Sequence, residues 1–179
     1  MTPLAVLAAL LPAVLLLAAP APAQAQTQVL GSDAAACKPG GGPAILAQIA
    51  GLKDRKGRIK LELYPADEAD FLADDTVLLA AGKTFRRVWT TIPPSGQVQV
   101  CIRVPRPGRY ALLVTHDRDG KNKFNFFADG AGFPGPGKIG MSRPKVDRAL
   151  VDVGEGTVTR TIRMQYLHGL GGFSPTRDD

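Results

Sequence analysis

Three short segments of the chain alternate apolar and polar residues one by one, and this period of two constrains the fold more than any other feature. The segments cover residues 58–64, 97–104 and 157–166. In the first of them, for example, the charged Lys60 stands between two aliphatic residues. Because successive side chains of a strand point to opposite faces of a sheet, each segment predicts a strand with one buried face and one more polar face.

The rest of the chain is typical of further short strands separated by turns rich in glycine and proline. Residues 109–116 are largely apolar, which predicts a strand covered on both faces, and a long irregular segment follows at 117–145. About seven short strands with little helix are typical of an all-β fold. We therefore predict an antiparallel β-sandwich, with an up-and-down barrel as the alternative architecture.

Both ends of the chain are predicted to lie outside the ordered domain. Between Met1 and Ala25 there is no charged side chain, and the apolar run is shorter than the ~20 residues of a membrane-spanning helix. Ala23 and Ala25 then form a small-x-small pattern, which predicts a secretory signal cleaved after Ala25 rather than a membrane anchor. The predicted organisation is a signal peptide at 1–25, a flexible lead-in at 26–43, a β-sandwich domain at 44–167 and a disordered tail at 168–179.

Cleavage of such a signal predicts a soluble periplasmic or secreted protein without a membrane span. Cys37 and Cys101 are the only cysteines, and they are expected to form a structural disulfide because exported proteins meet an oxidising environment. The net charge of +6 would suit nucleic acid in a cytoplasmic protein. Export instead favours an envelope polysaccharide or envelope protein as partner, or a surface charge that only maintains solubility.

The segment that leads into the long loop carries a set of short motifs. The chain has GRYALLVTHDRDGKNKFN at 108–125, GFP at 132–134 and GMS at 140–142. These motifs resemble a family of small exported bacterial proteins known as domain of unknown function 2141. The resemblance implies a β-sandwich of immunoglobulin or transthyretin type, and it implies no particular activity.

The start of the long loop has the outline of a calcium-binding loop. Side chains with oxygen atoms stand at positions 1, 3 and 9 of that outline, namely Asp117, Asp119 and Asn125. Lys121 and Asn122 stand at positions 5 and 6, and Ala128 stands at position 12, where a calcium loop has a bidentate carboxylate. We therefore predict no cofactor and a hydrogen-bonded turn, with calcium as the alternative and the Lys121 ammonium as a substitute for the cation.

His116 precedes Asp117 directly, which suggests a general base beside an orienting carboxylate. Neighbours on a strand point to opposite faces, so this adjacency works against a catalytic pair. The sequence has no nucleophile elbow, catalytic cysteine or histidine-rich metal cluster to complete such a site. We predict that His116 is a structural hydrogen-bonding residue and that the protein is not an enzyme.

Four phenylalanines of the long loop, at positions 124, 126, 127 and 133, alternate with lysine and arginine residues. Exposed rings beside cations could hold a sugar or an acidic polymer. The interpretation that we favour is that these rings fold inward as a small core beneath the loop.

Taken together, these patterns predict an exported, non-catalytic β-sandwich protein with a binding or structural role in the bacterial envelope. The candidate binding residues lie at the start of the long loop and in its GFP motif: His116, Asp117, Asp119, Lys121, Asn122, Asn125 and Phe133. The alternatives are a calcium-stabilised adhesion or carbohydrate-binding module, with Asp117, Asp119 and Asn125 as ligands, and an enzyme of unrecognised type that uses His116.

Overall fold

The computed structural model describes residues 28–176. Eleven strands and one short helix follow one another along this part of the chain: β1 (Val29–Leu30), β2 (Ala44–Ala50), β3 (Arg58–Pro65), α1 (Asp75–Ala80), β4 (Arg86–Thr91), β5 (Val98–Arg103), β6 (Gly108–Asp117), β7 (Gly130–Gly132), β8 (Leu150–Val153), β9 (Thr157–Arg163), β10 (Gln165–Leu167) and β11 (Phe173–Pro175). Three single turns of 3₁₀ helix lie at Ala34–Cys37, Val146–Ala149 and Gly169–Gly171. None of the helices in 28–176 is long and apolar enough to cross a membrane.

The strands form two sheets, and the predicted all-β class is confirmed. The larger sheet has the order β11-β10-β7-β6-β3-β4, with β8 paired to the other end of β6, and all of its pairs are antiparallel. The smaller sheet has the order β1-β5-β2-β9. In this sheet β2 and β5 are antiparallel, whereas β1 pairs with β5 and β9 pairs with β2 in parallel. The smaller sheet is therefore mixed, a feature that local alternation does not encode.

One hydrophobic core lies between the two sheets. Most aliphatic side chains of the alternating segments point into it, including Ile59, Leu61 and Leu63 of β3, which are fully buried. Leu112 and Val114 of β6 face the same core. Burial of each such side chain contributes about 1.5–3 kcal/mol to folding. The predicted inward face of residues 58–64 and 97–104 is confirmed, but the opposite face is also largely covered, since Glu62, Gln99 and Cys101 are buried.

The predicted disulfide is present, with Cys37 and Cys101 bonded across a sequence separation of 64 residues. It attaches a segment that was expected to be a flexible lead-in at 26–43, and for residues 28–43 that expectation is wrong. Val29–Leu30 pairs with β5, and the Ala34–Cys37 turn packs on Cys101. The carboxylate of Asp33 also accepts hydrogen bonds from the Arg86 guanidinium and from a main-chain N–H of β5. This segment is held in place by contacts with residues distant in the sequence. Its own sequence therefore shows no alternation of apolar and polar residues that would have predicted its order.

The expected disordered tail at 168–179 is likewise wrong for residues 168–176. Phe173–Pro175 forms the edge strand β11 beside β10, and Phe173 is buried. The main chain of Phe173 also exchanges two hydrogen bonds with Gly140 of the long loop. The structured domain thus extends beyond the predicted 44–167 at both ends. The predicted signal peptide at 1–25 and the last three residues lie outside the described residues.

Candidate functional site

A groove of about 400 Å³ crosses the outer face of the larger sheet. Its floor is formed by strand residues that point away from the core: Lys60, Glu62 and Tyr64 of β3, Arg87 of β4, and Leu113 and Thr115 of β6. Its walls are formed by residues 72–75, which lead into α1, by Phe124, Phe126 and residues 139–144 of the long loop, and by Phe173 of β11. Small-molecule sites are concave, have volumes of roughly 300–1,000 Å³ and combine apolar walls with a few polar groups. This groove has those properties.

Buried charges form one part of the floor. Glu62 is only 2% exposed, and its Oε1 accepts a hydrogen bond of 2.7 Å from Arg87 Nε. Its Oε2 lies 3.4 Å from the Lys60 ammonium, and Arg87 also donates to Asp75 at 2.7 Å. Burial alone would lower the pKa of Arg87, but the hydrogen bonds and charges of Glu62 and Asp75 outweigh burial and raise that pKa. The floor therefore carries two cations and two carboxylates that neutralise one another.

The alternation of residues 58–64 predicts that the polar face of β3 is exposed to solvent. In the structure this face is largely covered, and Glu62 on it is buried. Charged residues at every second position are typical of a solvent-facing side, yet α1 and the long loop fold over them. Beside Glu62, burial is the main cause that raises the pKa of the Tyr64 hydroxyl above its usual range. A buried glutamate and a buried tyrosine therefore lie close together in the floor of the groove.

Aromatic rings form the opposite wall of the groove. The ring of Phe126 packs edge-on against Phe173 with centroids 4.8 Å apart, and Phe124 lies 5.9 Å from the same ring. Phe133 is buried beneath them, as predicted, whereas Phe124 and Phe126 are exposed and Phe127 is 86% exposed. The prediction that all four rings fold inward is therefore wrong for three of them. Phe124 and Phe126 pack on Phe173, which belongs to the tail that was expected to be disordered, and Phe127 packs on Phe126.

His116 lies on the other side of β6, buried between the sheets and outside the groove. Its Nε2 is 2.7 Å from the main-chain oxygen of Lys56, which can only accept, so Nε2 must carry the hydrogen. Its Nδ1 then accepts from the Tyr166 hydroxyl at 2.7 Å, and that hydroxyl accepts in turn from the Lys53 N–H at 3.0 Å. Burial is the largest of the causes that lower the pKa of His116, and burial raises the pKa of Tyr166 to about 12. The neutral forms of both side chains satisfy this network.

The turn after His116 is held by side chains from the predicted candidate set. Asp119 accepts from the Lys121 N–H at 3.1 Å and from the Asn125 side-chain amide at 3.0 Å, and the Asn125 hydrogen bond is the main cause that lowers the pKa of Asp119. Asn122 adopts a left-handed conformation with φ of 62° and donates its N–H to Asp117 at 3.3 Å. Lys121 points outward, and its ammonium lies 3.6 Å from Asp119. These contacts form a closed hydrogen-bonded turn.

Three carboxylates converge beside this turn. One oxygen each of Asp117, Asp119 and Asp129 lies within 4.8 Å of the other two. Asp129 was not among the candidate residues, because it falls one position beyond the expected twelfth ligand of a calcium loop. Its carboxylate accepts from the N–H groups of Arg118 and Asn125, both at 2.8 Å. These two bonds direct it into the turn.

The structure therefore separates the predicted candidate residues into three places. Asp117, Asp119, Asn122 and Asn125 build the turn with Lys121 at its surface, Phe133 lines the groove, and His116 lies between the sheets. Sequence reasoning missed Glu62, Arg87 and Asp129. The signal for the first two was present as opposite charges on neighbouring strands, but β3 and β4 must be placed side by side before their register can be read.

Comparison with known proteins gives one family. A family model described as "Uncharacterized protein conserved in bacteria (DUF2141)" matches residues 47–161, which confirms the resemblance seen in the loop motifs. No curated protein and no solved structure matches the chain significantly.

Proposed function

The chain belongs to the family of uncharacterized proteins conserved in bacteria (DUF2141), and we propose that it is a non-catalytic binding protein of the bacterial envelope that holds a small amphiphilic molecule in the groove of its larger sheet. The observation that carries this proposal is the groove itself, with phenylalanine walls above a floor of mutually paired charges, of which Glu62 is buried.

The groove offers two chemically different surfaces to a ligand. Phe126 and Leu113 provide apolar contact for a ring or an alkyl chain, whereas Glu62 and Arg87 provide an acceptor and a donor for a polar group. Because the floor charges balance, net charge does not select the ligand. An amphiphile with a dipolar or hydrogen-bonding head matches both surfaces.

A role without catalysis is supported by the way in which the reactive groups are used. Both ring nitrogens of His116 are occupied by Tyr166 and Lys56, outside the groove. The two cysteines form the disulfide. The floor carboxylate Glu62 is already paired with both Lys60 and Arg87.

The placement in the envelope is supported by the disulfide and by the sequence of residues 1–25. Disulfides persist mainly in oxidising compartments. The test is expression of the full chain in a bacterium, followed by fractionation and N-terminal sequencing of the recovered protein. We expect protein in the periplasmic or culture fraction that begins at Gln26. Recovery of an unprocessed chain in the cytoplasm, with Cys37 and Cys101 reduced, would contradict this part of the proposal.

Ligand binding is tested with N-phenyl-1-naphthylamine, a neutral dye whose emission rises in apolar sites. Two variants one position apart form a matched pair, because Phe126 lines the groove and Phe127 does not. We expect Phe126→Ala to weaken dye binding about tenfold, equivalent to ~1.4 kcal/mol, and Phe127→Ala to leave it within about twofold. Single-chain amphiphiles should displace the dye and raise the thermal midpoint. Absence of dye binding, or equal effects of the two variants, would refute the proposed site.

A further inference from the structure

Three aspartates converge at the end of β6, next to the groove. One oxygen from each of Asp117, Asp119 and Asp129 lies within 4.8 Å of the others. Calcium binds oxygen at about 2.3–2.6 Å, so two ligands on opposite sides of one ion stand up to about 5 Å apart. A single cation is therefore able to contact all three carboxylates.

An independent observation at the same place concerns a buried acceptor atom. The Oδ1 atom of Asp117 is buried and has no hydrogen-bond partner, and it is the only carboxylate oxygen in residues 28–176 for which this holds. The other carboxylate oxygen of Asp117, Oδ2, accepts hydrogen bonds from Arg58 Nε at 2.9 Å and from the Asn122 N–H at 3.3 Å. A buried acceptor without a partner is unfavourable, and a metal ion would supply the missing contact.

We propose that these three aspartates bind a divalent cation and that calcium is the ion that suits them. All of the donor atoms are oxygens, which hard cations prefer. The carboxylates of Asp119 and Asp129 are oriented by main-chain and amide N–H groups rather than by a regular octahedral frame. Calcium accepts such irregular geometry, whereas magnesium requires near-ideal octahedral coordination and retains its waters.

Nearby cations set the strength of this site. The Lys121 ammonium lies 3.6 Å from Asp119, and the Arg58 guanidinium pairs with Asp117. Lys60 and Lys123 line the same small depression as Asp117 and Asp129. These charges offset part of the negative potential, so we expect binding in the range of about 10⁻⁴–10⁻³ M that is usual for extracellular calcium modules. Lys121 is exposed and holds no other described carboxylate, so its removal should strengthen binding.

The structure also provides an optical readout. Trp89, the only tryptophan of the chain, lines the depression that contains Asp117 and Asp129. Terbium replaces calcium at oxygen sites and emits strongly when a tryptophan close to it is excited. Terbium emission sensitised through Trp89 therefore reports occupancy of this site.

The experiment is a terbium titration of the oxidised protein, followed by displacement with calcium and then with magnesium. We expect sensitised emission that millimolar calcium removes and that equal magnesium does not. Asp119→Asn and Asp129→Asn should each weaken terbium binding about tenfold or more, because each removes one charged ligand of three. Lys121→Gln should strengthen it several-fold, a gain that a misfolded protein could not show. Asp152→Asn is the control. Asp152 is exposed, forms a salt bridge with Arg109 and is not one of the three converging aspartates.

Three results would overturn the proposal. The first is the absence of sensitised emission that calcium can displace. The second is an equal effect of Asp129→Asn and Asp152→Asn. The third is an unchanged thermal midpoint of the wild-type protein between excess EDTA and millimolar calcium, because an ion that binds only the folded state must raise that midpoint.

Discussion

The Tyr166 hydroxyl joins three elements, and its removal gives a sharp test of the interior network. It donates to Nδ1 of the fully buried His116 on β6 and accepts from the Lys53 N–H in the turn between β2 and β3. In Tyr166→Phe the ring remains, so packing changes little. The imidazole acceptor, however, is left without a partner in a place that water does not reach.

The expected loss of unfolding free energy depends on how deeply each group that loses its hydrogen-bond partner is buried. A buried acceptor that loses its partner costs about 1–3 kcal/mol. The Lys53 N–H belongs to an exposed residue and can turn to water, so it adds little. We therefore expect Tyr166→Phe to lower the free energy of unfolding by about 1–3 kcal/mol, and the thermal midpoint by about 2–12 °C for a domain of this size.

The assay is urea unfolding followed by the fluorescence of Trp89, at a pH near 7.5 where His116 is neutral. Tyr110→Phe is the matched control, because the Tyr110 hydroxyl donates at 2.8 Å to the main-chain oxygen of the exposed Arg106. Water replaces that partner, so the control should cost less than about 1 kcal/mol. Equal losses in the two variants would refute the assignment of Tyr166 as the only donor to the His116 ring.

Three further predictions concern the same framework. Reduction of the Cys37–Cys101 disulfide, which spans 64 residues, should lower the free energy of unfolding by about 4 kcal/mol on the chain-entropy model; a thermal midpoint unaffected by dithiothreitol would contradict this. Burial lowers the pKa of His116, so the unfolded chain protonates there first and stability should fall as the pH drops below about 6.5. Urea titrations between about pH 7 and 5 should show this slope in the wild type and lose it in His116→Gln. Gly130→Ala would place a methyl group against the Tyr166 ring, closer than van der Waals contact allows, and should cost about 1–3 kcal/mol, more than Gly154→Ala, whose added carbon meets no atom within 4 Å.

The parts of the fold that local pattern determines were predictable from the sequence. Residues 58–64 and 97–104 show their buried faces directly, because burial on one side of a strand imposes a period of two. The cysteine pair was predictable because the chain has only two cysteines and a predicted export signal. These inferences need no knowledge of which strand lies beside which.

The parts that depend on distant partners were not predictable. Phe173 looks like a tail residue until β11 is placed beside β10, where it is buried and packs against Phe124 and Phe126. Glu62 looks solvent-exposed until β4 brings Arg87 to it. Asp129 enters the turn through main-chain hydrogen bonds, for which no side-chain pattern is required.

The mixed pairing of the smaller sheet has a consequence for the order in which the protein folds. Strand β2 lies between β5 and β9, and its Ala44 is in register with Thr157 of β9. A ribosome delivers β2 long before β9, so the early strand must wait for a partner that is more than a hundred residues downstream. Loop closure over such a distance is entropically slow. Folding should therefore be a late event of the completed chain, and a nascent chain that ends before Thr157 should remain an accessible substrate for chaperones and proteases.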